Sequence, residues 1–467
     1  MNRLLISAAH KSSGKTTLTV GLCAALRERG HVVQPFKKGP DYIDPMWLTL
    51  ASGRDCHNLD FYLMGHDEIR RTFTQQAHGA DVAVIEGNKG LYDGLDLDGS
   101  NSNAALATLL SAPVVLVIDA RGMTRGIAPL ILGYQAFDPN VRIAGVILNQ
   151  LGGSRHESKL RAVIEHYTDV QVLGAVHFDE RLAIAERHLG LVPSNEATAA
   201  DARIRAIAGA VAEQVDLEKL LAVAGTAPAL PTPEVPNMAP PRIPDVRIGV
   251  ARDAAFGFYY PGDLAALRRA GADLIMFDTL ATPDLPPVDA LFIGGGFPET
   301  QMEALEANAS LRAQIRDAID RGMPVYAECG GLMYLTRSIR WGEKKHEMVG
   351  AIPADTVMHP RPVGRGYIAL RENGNNPWPS AGAEAPNEIR GHEFHYSSLE
   401  NVSPDLTYAY DVLRGHGIDG ARDGIVHRNV LACYGHLRDL ENNHWASRFV
   451  EFARRVRTRQ AEPAVDA

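Results

Sequence analysis

The chain has 467 residues, a formal net charge of −9 and 45% hydrophobic residues, more than one core usually serves, so two or more domains are expected. The acidic balance and the lack of any Lys/Arg run exclude a general nucleic-acid surface, and no apolar run is long enough to span a membrane. Four scattered cysteines without CxxC spacing, and a core strand expected from the first residues with no room for a signal peptide, point to the cytoplasm.

Leu4-Leu5-Ile6 leads into Ser7-Ala8-Ala9-His10-Lys11-Ser12-Ser13-Gly14-Lys15-Thr16-Thr17, and a helical pattern follows with Leu18, Val20, Leu22, Ala25 and Leu26. Strand, tight loop and helix make a phosphate cradle: backbone N–H groups and a helix N-terminus face the anion, Lys15 adds charge, and Thr16 can ligate Mg²⁺. Ala9 stands where GxxxxGK[ST] has its first glycine, which weakens the bare pattern; the context restores it. ATP is therefore the expected ligand of Ser13, Gly14, Lys15, Thr16 and Thr17. Cys23, inside the apolar stripe of the first helix, reads as a packed thiol.

Strands are expected at 3–7, 32–36, 81–86, 114–119, 143–149 and 172–176, with helical patterns between them, for instance at 104–110 and 159–166. Their Val/Ile/Leu runs show little alternation, as in a parallel sheet buried on both faces, so this half reads as doubly wound α/β with ligands at the carboxyl ends of the strands. Seven prolines between 228 and 244 mark a linker over 227–244, separating domains at 1–226 and 245–457.

The rhythm then restarts, with strands expected at 246–251, 274–277, 290–293 and 324–328 and helices at 264–270 and 301–321. The stretch 341–400 reads as β-rich, 426–434 as a late strand and 445–456 as a closing helix. Ala327-Glu328-Cys329-Gly330-Gly331 has the form of a nucleophile elbow, a strand turning sharply into a helix with Cys329 exposed at the corner. A helix N-terminus there lowers a thiol pKa and can hold an oxyanion. Such a thiol needs a base. His436 in Tyr434-Gly435-His436, just after the late strand, is best placed; His392 and His395 compete with it. Ile293-Gly294-Gly295-Gly296 supplies a second glycine turn. Cys, His and two glycine loops at strand ends describe acyl transfer through a thioester.

Ala-Glu-Cys-Gly-Gly with the later Tyr-Gly-His, and Gly391-His392-Glu393-Phe394-His395-Tyr396-Ser397, resemble the glutamine-hydrolysing cobyrinic acid a,c-diamide synthase family. The first half agrees in Phe36-Lys37-Lys38-Gly39-Pro40-Asp41-Tyr42-Ile43-Asp44-Pro45, Glu86-Gly87 with Gly90-Leu91-Tyr92-Asp93-Gly94, and Phe137-Asp138-Pro139. The resemblance implies two doubly wound α/β domains: an N-terminal P-loop domain like dethiobiotin synthetase and a C-terminal class I glutamine amidotransferase domain. It implies that Cys329 is the nucleophile, His436 its base, and Gly295 and Gly330 the oxyanion donors. Class I members carry a glutamate two residues after the histidine; Arg438 stands there, and no orienting carboxylate is assigned.

The resemblance further implies that Thr16, Asp41 and Glu86 share Mg²⁺ and that Asn149 meets adenine, a helix N-cap being the structural alternative. By the same resemblance Lys38, Asp41, Tyr42, Asp44, Lys89 and Asp93 are expected to face the substrate. L-glutamine and a tetrapyrrole polycarboxylate are the implied partners, with no nucleic acid and no membrane; a homodimer is compatible. The reaction would be ATP-dependent amidation of acetate side chains a and c. Lys38 and Lys89 replace apolar residues of the usual family runs, which leaves sirohydrochlorin or siroheme as alternative substrates unless each lysine pairs with a nearby aspartate. A partitioning or regulatory P-loop ATPase is the rival class, but His10 holds the place of its signature lysine.

Overall fold

The computed structural model describes residues 1–187, 190–196, 199–231, 242–380 and 388–461. The chain divides into two compact units, Met1–Pro236 and Asn237–Ala467. The division falls in the Pro-rich stretch, of which 232–241 lies outside the described residues. On its described flanks, Arg3 Nη2 donates to the Pro228 carbonyl (2.6 Å) and the Arg242 amide to that of Arg269 (3.2 Å), each within one unit.

In the first unit, seven strands form one parallel sheet: β1 (Asn2–Ala8), β2 (Val33–Lys38), β3 (His57–Leu59), β4 (Val82–Glu86), β5 (Val114–Asp119), β6 (Ile143–Leu151) and β7 (Val172–His177), in the order β3-β2-β4-β1-β5-β6-β7. The centre of β1 is buried on both faces, which explains its unbroken apolar run. The short edge strand β3, which includes His57 and Asn58, has no apolar signature and was not expected. The expected 104–110 and 159–166 helices are Asn103–Leu109 and Ser154–Tyr167. Helix α1 (Lys15–Glu28) packs on α2 (Ala200–Gln214) through Gly21, where a Cβ would lie 2.5 Å from Val211 Cγ2.

The second unit carries a ten-stranded sheet. Its parallel half follows the doubly wound expectation: β8 (Val246–Ala251), β9 (Ala272–Phe277), β10 (Ala290–Ile293), β11 (Val325–Glu328) and β16 (Val430–Cys433) lie in the order β9-β8-β10-β11-β16. The sheet continues antiparallel through β15 (Arg422–His427), β14 (Thr407–Arg414), β12 (Gly364–Glu372), β13 (Ile389–His395) and β17 (His436–Leu437). β12, β13 and most of a separate four-stranded sheet lie in the β-rich stretch expected at 341–400, in which 381–387 lies outside the described residues.

Two expected elements are corrected. The late strand 426–434 is the end of one strand and the whole of another: β15 turns into β16 at Arg428 and Asn429, with Arg428 at φ 54° and no glycine to announce it. The helix at 301–321 is two, Met302–Ala307 and Ala309–Asp320, broken at Asn308. The closing helix is Trp445–Ala461, whose Trp445 and Phe449 are buried.

Gly21→Ala gains about 1 kcal/mol of helix propensity, while overpacking costs about 1–3 kcal/mol. A lower thermal midpoint is therefore expected, recovered by adding Val211→Ala and measured by calorimetry of the three variants.

Candidate functional sites

In the first unit the carboxyl ends of β1, β2 and β4 converge. β1 ends at Ala8, and the loop turns through Ser12 (φ 63°) and Gly14 (φ 80°) so that Lys15 opens α1 with Thr16 and Thr17 in its first turn. Ser13 Oγ donates to the His10 carbonyl (2.8 Å), closing the loop. Asn149, on β6, donates from Nδ2 to the Ser13 carbonyl (2.9 Å) and lies where a Cβ on Gly14 would come within 2.3 Å. It is not the N-cap of the following helix, where Gly153 stands. Lys15 Nζ donates to the Lys89 carbonyl (2.7 Å), and burial, then Lys37, lowers its pKa.

Lys37 is the residue that sequence reasoning missed. Its Nζ lies 2.5 Å from Asp44 Oδ2, 2.9 Å from Glu86 Oε1 and 3.9 Å from Asp41 Oδ2. Thr16 Oγ1 reaches the same Glu86 oxygen (2.7 Å) and Asp44 Oδ2 (3.2 Å). Removing one member of such a buried charge set costs about 3–5 kcal/mol. Burial works to lower the Lys37 pKa, but Asp44, Glu86 and Asp41 outweigh it and raise it. Burial works to raise Asp44, and Lys37 holds it below the usual value. Partial burial and the neighbouring Asp44 carboxylate raise Asp41, and burial raises Glu86. Thr16 and Glu86 thus gather with Asp44, whereas Asp41 lies farther out with its side chain 34% exposed.

The remaining expected substrate residues separate. Tyr42 is buried just before the helix Ile43–Ser52. Asp93 is exposed and accepts from the Gly90 amide through Oδ2 (2.8 Å), folding its own loop. Lys89 is exposed at φ 44°. Lys38 is not: it is 4% exposed and donates to Asn88 Oδ1 (3.2 Å). Burial, only partly offset by Asp60, lowers its pKa to about 8. Beside this loop a cleft of about 490 Å³ is lined by Phe61, Arg70, Tyr92, Leu97 and Phe137. Among the described residues no group of three or more His, Cys, Asp or Glu side chains is placed to hold a metal, and no helix is long and apolar enough to cross a membrane.

In the second unit, β11 and β16 are parallel neighbours with Glu328 opposite Cys433. Cys329 turns at φ 47°, ψ −100° into the helix Gly330–Leu335, the strained corner expected of an elbow. The corner is packed rather than exposed: Cys329 is 6% accessible, because the glycine turns of Gly330 and Gly296 press together. A Cβ on Gly330 would lie 3.0 Å from Gly296 N, and one on Gly295 2.6 Å from His436 Cε1. Burial, then Glu299, pushes the thiol pKa up, with the Gly330 amide opposing. Burial thus works against the dipole-lowered thiol expected of the elbow. Cys23, fully buried, is a core thiol.

His436 follows the strand next to the one that ends at Cys329. Asp423 shapes its approach, accepting from the amides of Tyr434 (3.0 Å) and Gly435 (2.9 Å). His392 is paired across from His436 and stacks on it at 4.8 Å. His395 is turned elsewhere, with Nδ1 at the Ser397 carbonyl (2.8 Å) and its ring on Tyr434 (3.9 Å).

Residues 5–192 match the CobQ/CobB/MinD/ParA nucleotide binding domain, and residues 247–444 match the CobB/CobQ-like glutamine amidotransferase domain. The chain is 46% identical over 457 residues to the cobyrinate a,c-diamide synthase of Magnetococcus marinus, covering 97% of each chain. It is 42% identical over 485 residues to that of Methanosarcina acetivorans, covering 98% of this chain and 97% of the other.

The chain belongs to the cobyrinate a,c-diamide synthase family. It is thus an ATP-dependent carbon–nitrogen ligase with glutamine as amide donor, and its amidotransferase half sets it apart from the partitioning ATPases.

The position of Lys38 in this family member yields a stability prediction. Below about pH 8 Lys38 is charged in both folded and unfolded states, and its burial penalty is fully present. Between about 8 and the ordinary lysine value of 10.5 the unfolded chain holds the proton longer, so this group's contribution to stability rises with pH. The difference in urea midpoint between Lys38→Met and the parent should therefore shrink from pH 7 to pH 9.5; a constant difference would contradict the burial of the ammonium.

Proposed function

We propose that the chain transfers the amide nitrogen of glutamine to the a and c acetate side chains of a cobyrinic-acid-type tetrapyrrole, through an acyl phosphate made from ATP. The observation that supports this reading is one polypeptide holding a P-loop beside a buried lysine–carboxylate set and, just past the ends of two neighbouring parallel strands, Cys329 and His436. A carboxylate is a poor electrophile, since its leaving group would be oxide; phosphorylation supplies a better one. Ser13, Gly14, Lys15, Thr16 and Thr17 cradle the phosphates, and Lys15 and Lys37 offset charge as the phosphoryl group moves. Asn149 braces the loop and, on this reading, meets the adenine.

Mg²⁺ would be held by Thr16 and Glu86 with Asp44 beside them, hard oxygen donors of the kind that ion prefers. The buried Glu86 Oε2, which has no hydrogen-bond partner among the described residues, fits a ligand role. The ion supplies charge neutralisation. Asp41, Tyr42 and Asp93 bound the substrate side, Lys89 meets a substrate carboxylate, and the aromatic cleft at Tyr92 and Phe137 suits a flat macrocycle. In the second unit His436 takes the Cys329 proton, and Gly295 and Gly330 supply oxyanion donors. The ammonia released attacks the acyl phosphate. The exposed Lys89 also favours a substrate with one more carboxylate, such as sirohydrochlorin.

Cys329→Ser should abolish glutamine-dependent amidation and keep the ammonia-dependent reaction, whereas Lys15→Ala should abolish both. The measurement is mass spectrometry of products from cobyrinic acid and sirohydrochlorin, each with ATP, Mg²⁺ and glutamine or ammonium. Glutamine-dependent turnover by Cys329→Ser, or amidation by Lys15→Ala, refutes the assignment.

A further inference from the structure

The place two residues after His436 holds Arg438, whose guanidinium lies over the Tyr260 ring at 4.6 Å. A cation cannot accept a proton from an imidazole, so the base lacks an orienting carboxylate in the expected position. Asp423 is committed to the Tyr434 and Gly435 amides, and Asp263 accepts from the Asp439 amide (2.8 Å). Glu328, immediately before the nucleophile, is placed differently.

We propose that Glu328 is the positioning residue for His436, taking the part of the displaced triad carboxylate from the nucleophile's own strand. His436 Nδ1 lies 3.4 Å from Glu328 Oε2. The other oxygen, Oε1, is anchored twice: by the Tyr326 hydroxyl (2.6 Å) and by the Leu437 amide (3.0 Å). Strand alternation brings Tyr326 and Glu328 to one face of β11, and the Leu437 amide belongs to the residue right after the histidine. The carboxylate is therefore fixed relative to both the imidazole and its backbone. Glu328 and His436 are each 2% exposed, and the His392 ring packs at 18° to His436. Burial of this kind makes a misdirected imidazole costly to correct by solvent.

The consequence is a tautomer. A carboxylate at Nδ1 keeps the proton there and leaves the Nε2 lone pair for the thiol. As Cys329 Sγ bonds to the glutamine carboxamide carbon, its proton passes to Nε2. That proton then goes to the departing amide nitrogen, the C–N bond breaks, ammonia leaves, and a thioester remains for water to hydrolyse. The Glu328 carboxylate steadies the imidazolium across the Nδ1 contact. The groups around the pair are His392, Arg438, Tyr260, Tyr326, Cys433 and Asp263.

The proposal rests on the glutaminase reading of Cys329 and His436, and its test separates the two. In Glu328→Gln the amide oxygen still accepts from Tyr326 and Leu437, but the NH₂ group faces Nδ1 and drives the imidazole proton to Nε2. The expected result is a glutaminase kcat lowered about 100-fold or more, with KM for glutamine within about threefold. Ammonia-dependent amidation and the thermal midpoint are unchanged, and ¹⁵N NMR of labelled histidine shows His436 switching to the Nε2–H tautomer. Tyr326→Phe, which removes one anchor and keeps the ring, lowers kcat about tenfold at unchanged KM. A Glu328→Gln enzyme that keeps kcat within about threefold, keeps the Nδ1–H tautomer, or loses ammonia-dependent turnover as well overturns the proposal. Glutamine turnover by Cys329→Ser would instead overturn the underlying reading.

Discussion

Parallel strands buried on both faces can place loops and uncovered backbone groups only at their ends, and both sites of this chain are built at the carboxyl ends of such strands. β1 delivers the P-loop, β2 the turn to Asp41 and Asp44, β4 Glu86, and β6 Asn149. In the second unit β11 delivers Cys329, β16 the approach to His436, and β10 the glycine turn at Gly295. The hydrophobic packing of each sheet thus fixes the chemistry at its edge, and tight register makes each site rigid.

The two edges solve opposite electrostatic problems. The first must gather negative charge, and it holds two lysines against three carboxylates: Lys37 among Asp41, Asp44 and Glu86, with Lys15 one loop away. The second buries a thiol, an imidazole and a carboxylate near the ends of β11 and β16. Burial raises the Cys329 thiol pKa, so on the proposed reading the orientation of its base matters more than the net charge around it.

Much of this was legible in the sequence, because the signals were local. The P-loop, the elbow and the Val/Ile/Leu runs each declare themselves within about ten residues. What escaped depended on contacts across the sheet. Lys37 and Lys38 are adjacent, and only the strand's alternation sends one to Asp44 and Glu86 and the other to Asn88. Glu328 was hidden because the expected carboxylate lay after the histidine, and nothing in one chain's sequence reveals that Nδ1 faces back across β11. The hairpin at Arg428 and Asn429 lacked a glycine, so two strands read as one. The thiol's burial follows from two glycine turns closing on each other, which spacing does not encode.

The central claim is that nitrogen freed at the second site is the nitrogen added at the first. The most direct test supplies glutamine labelled with ¹⁵N in its amide, ATP, Mg²⁺ and cobyrinic acid in a large excess of unlabelled ammonium, at a pH where free ammonia is scarce. The account predicts that the amidated tetrapyrrole carries ¹⁵N. Product carrying only the bulk nitrogen would contradict it.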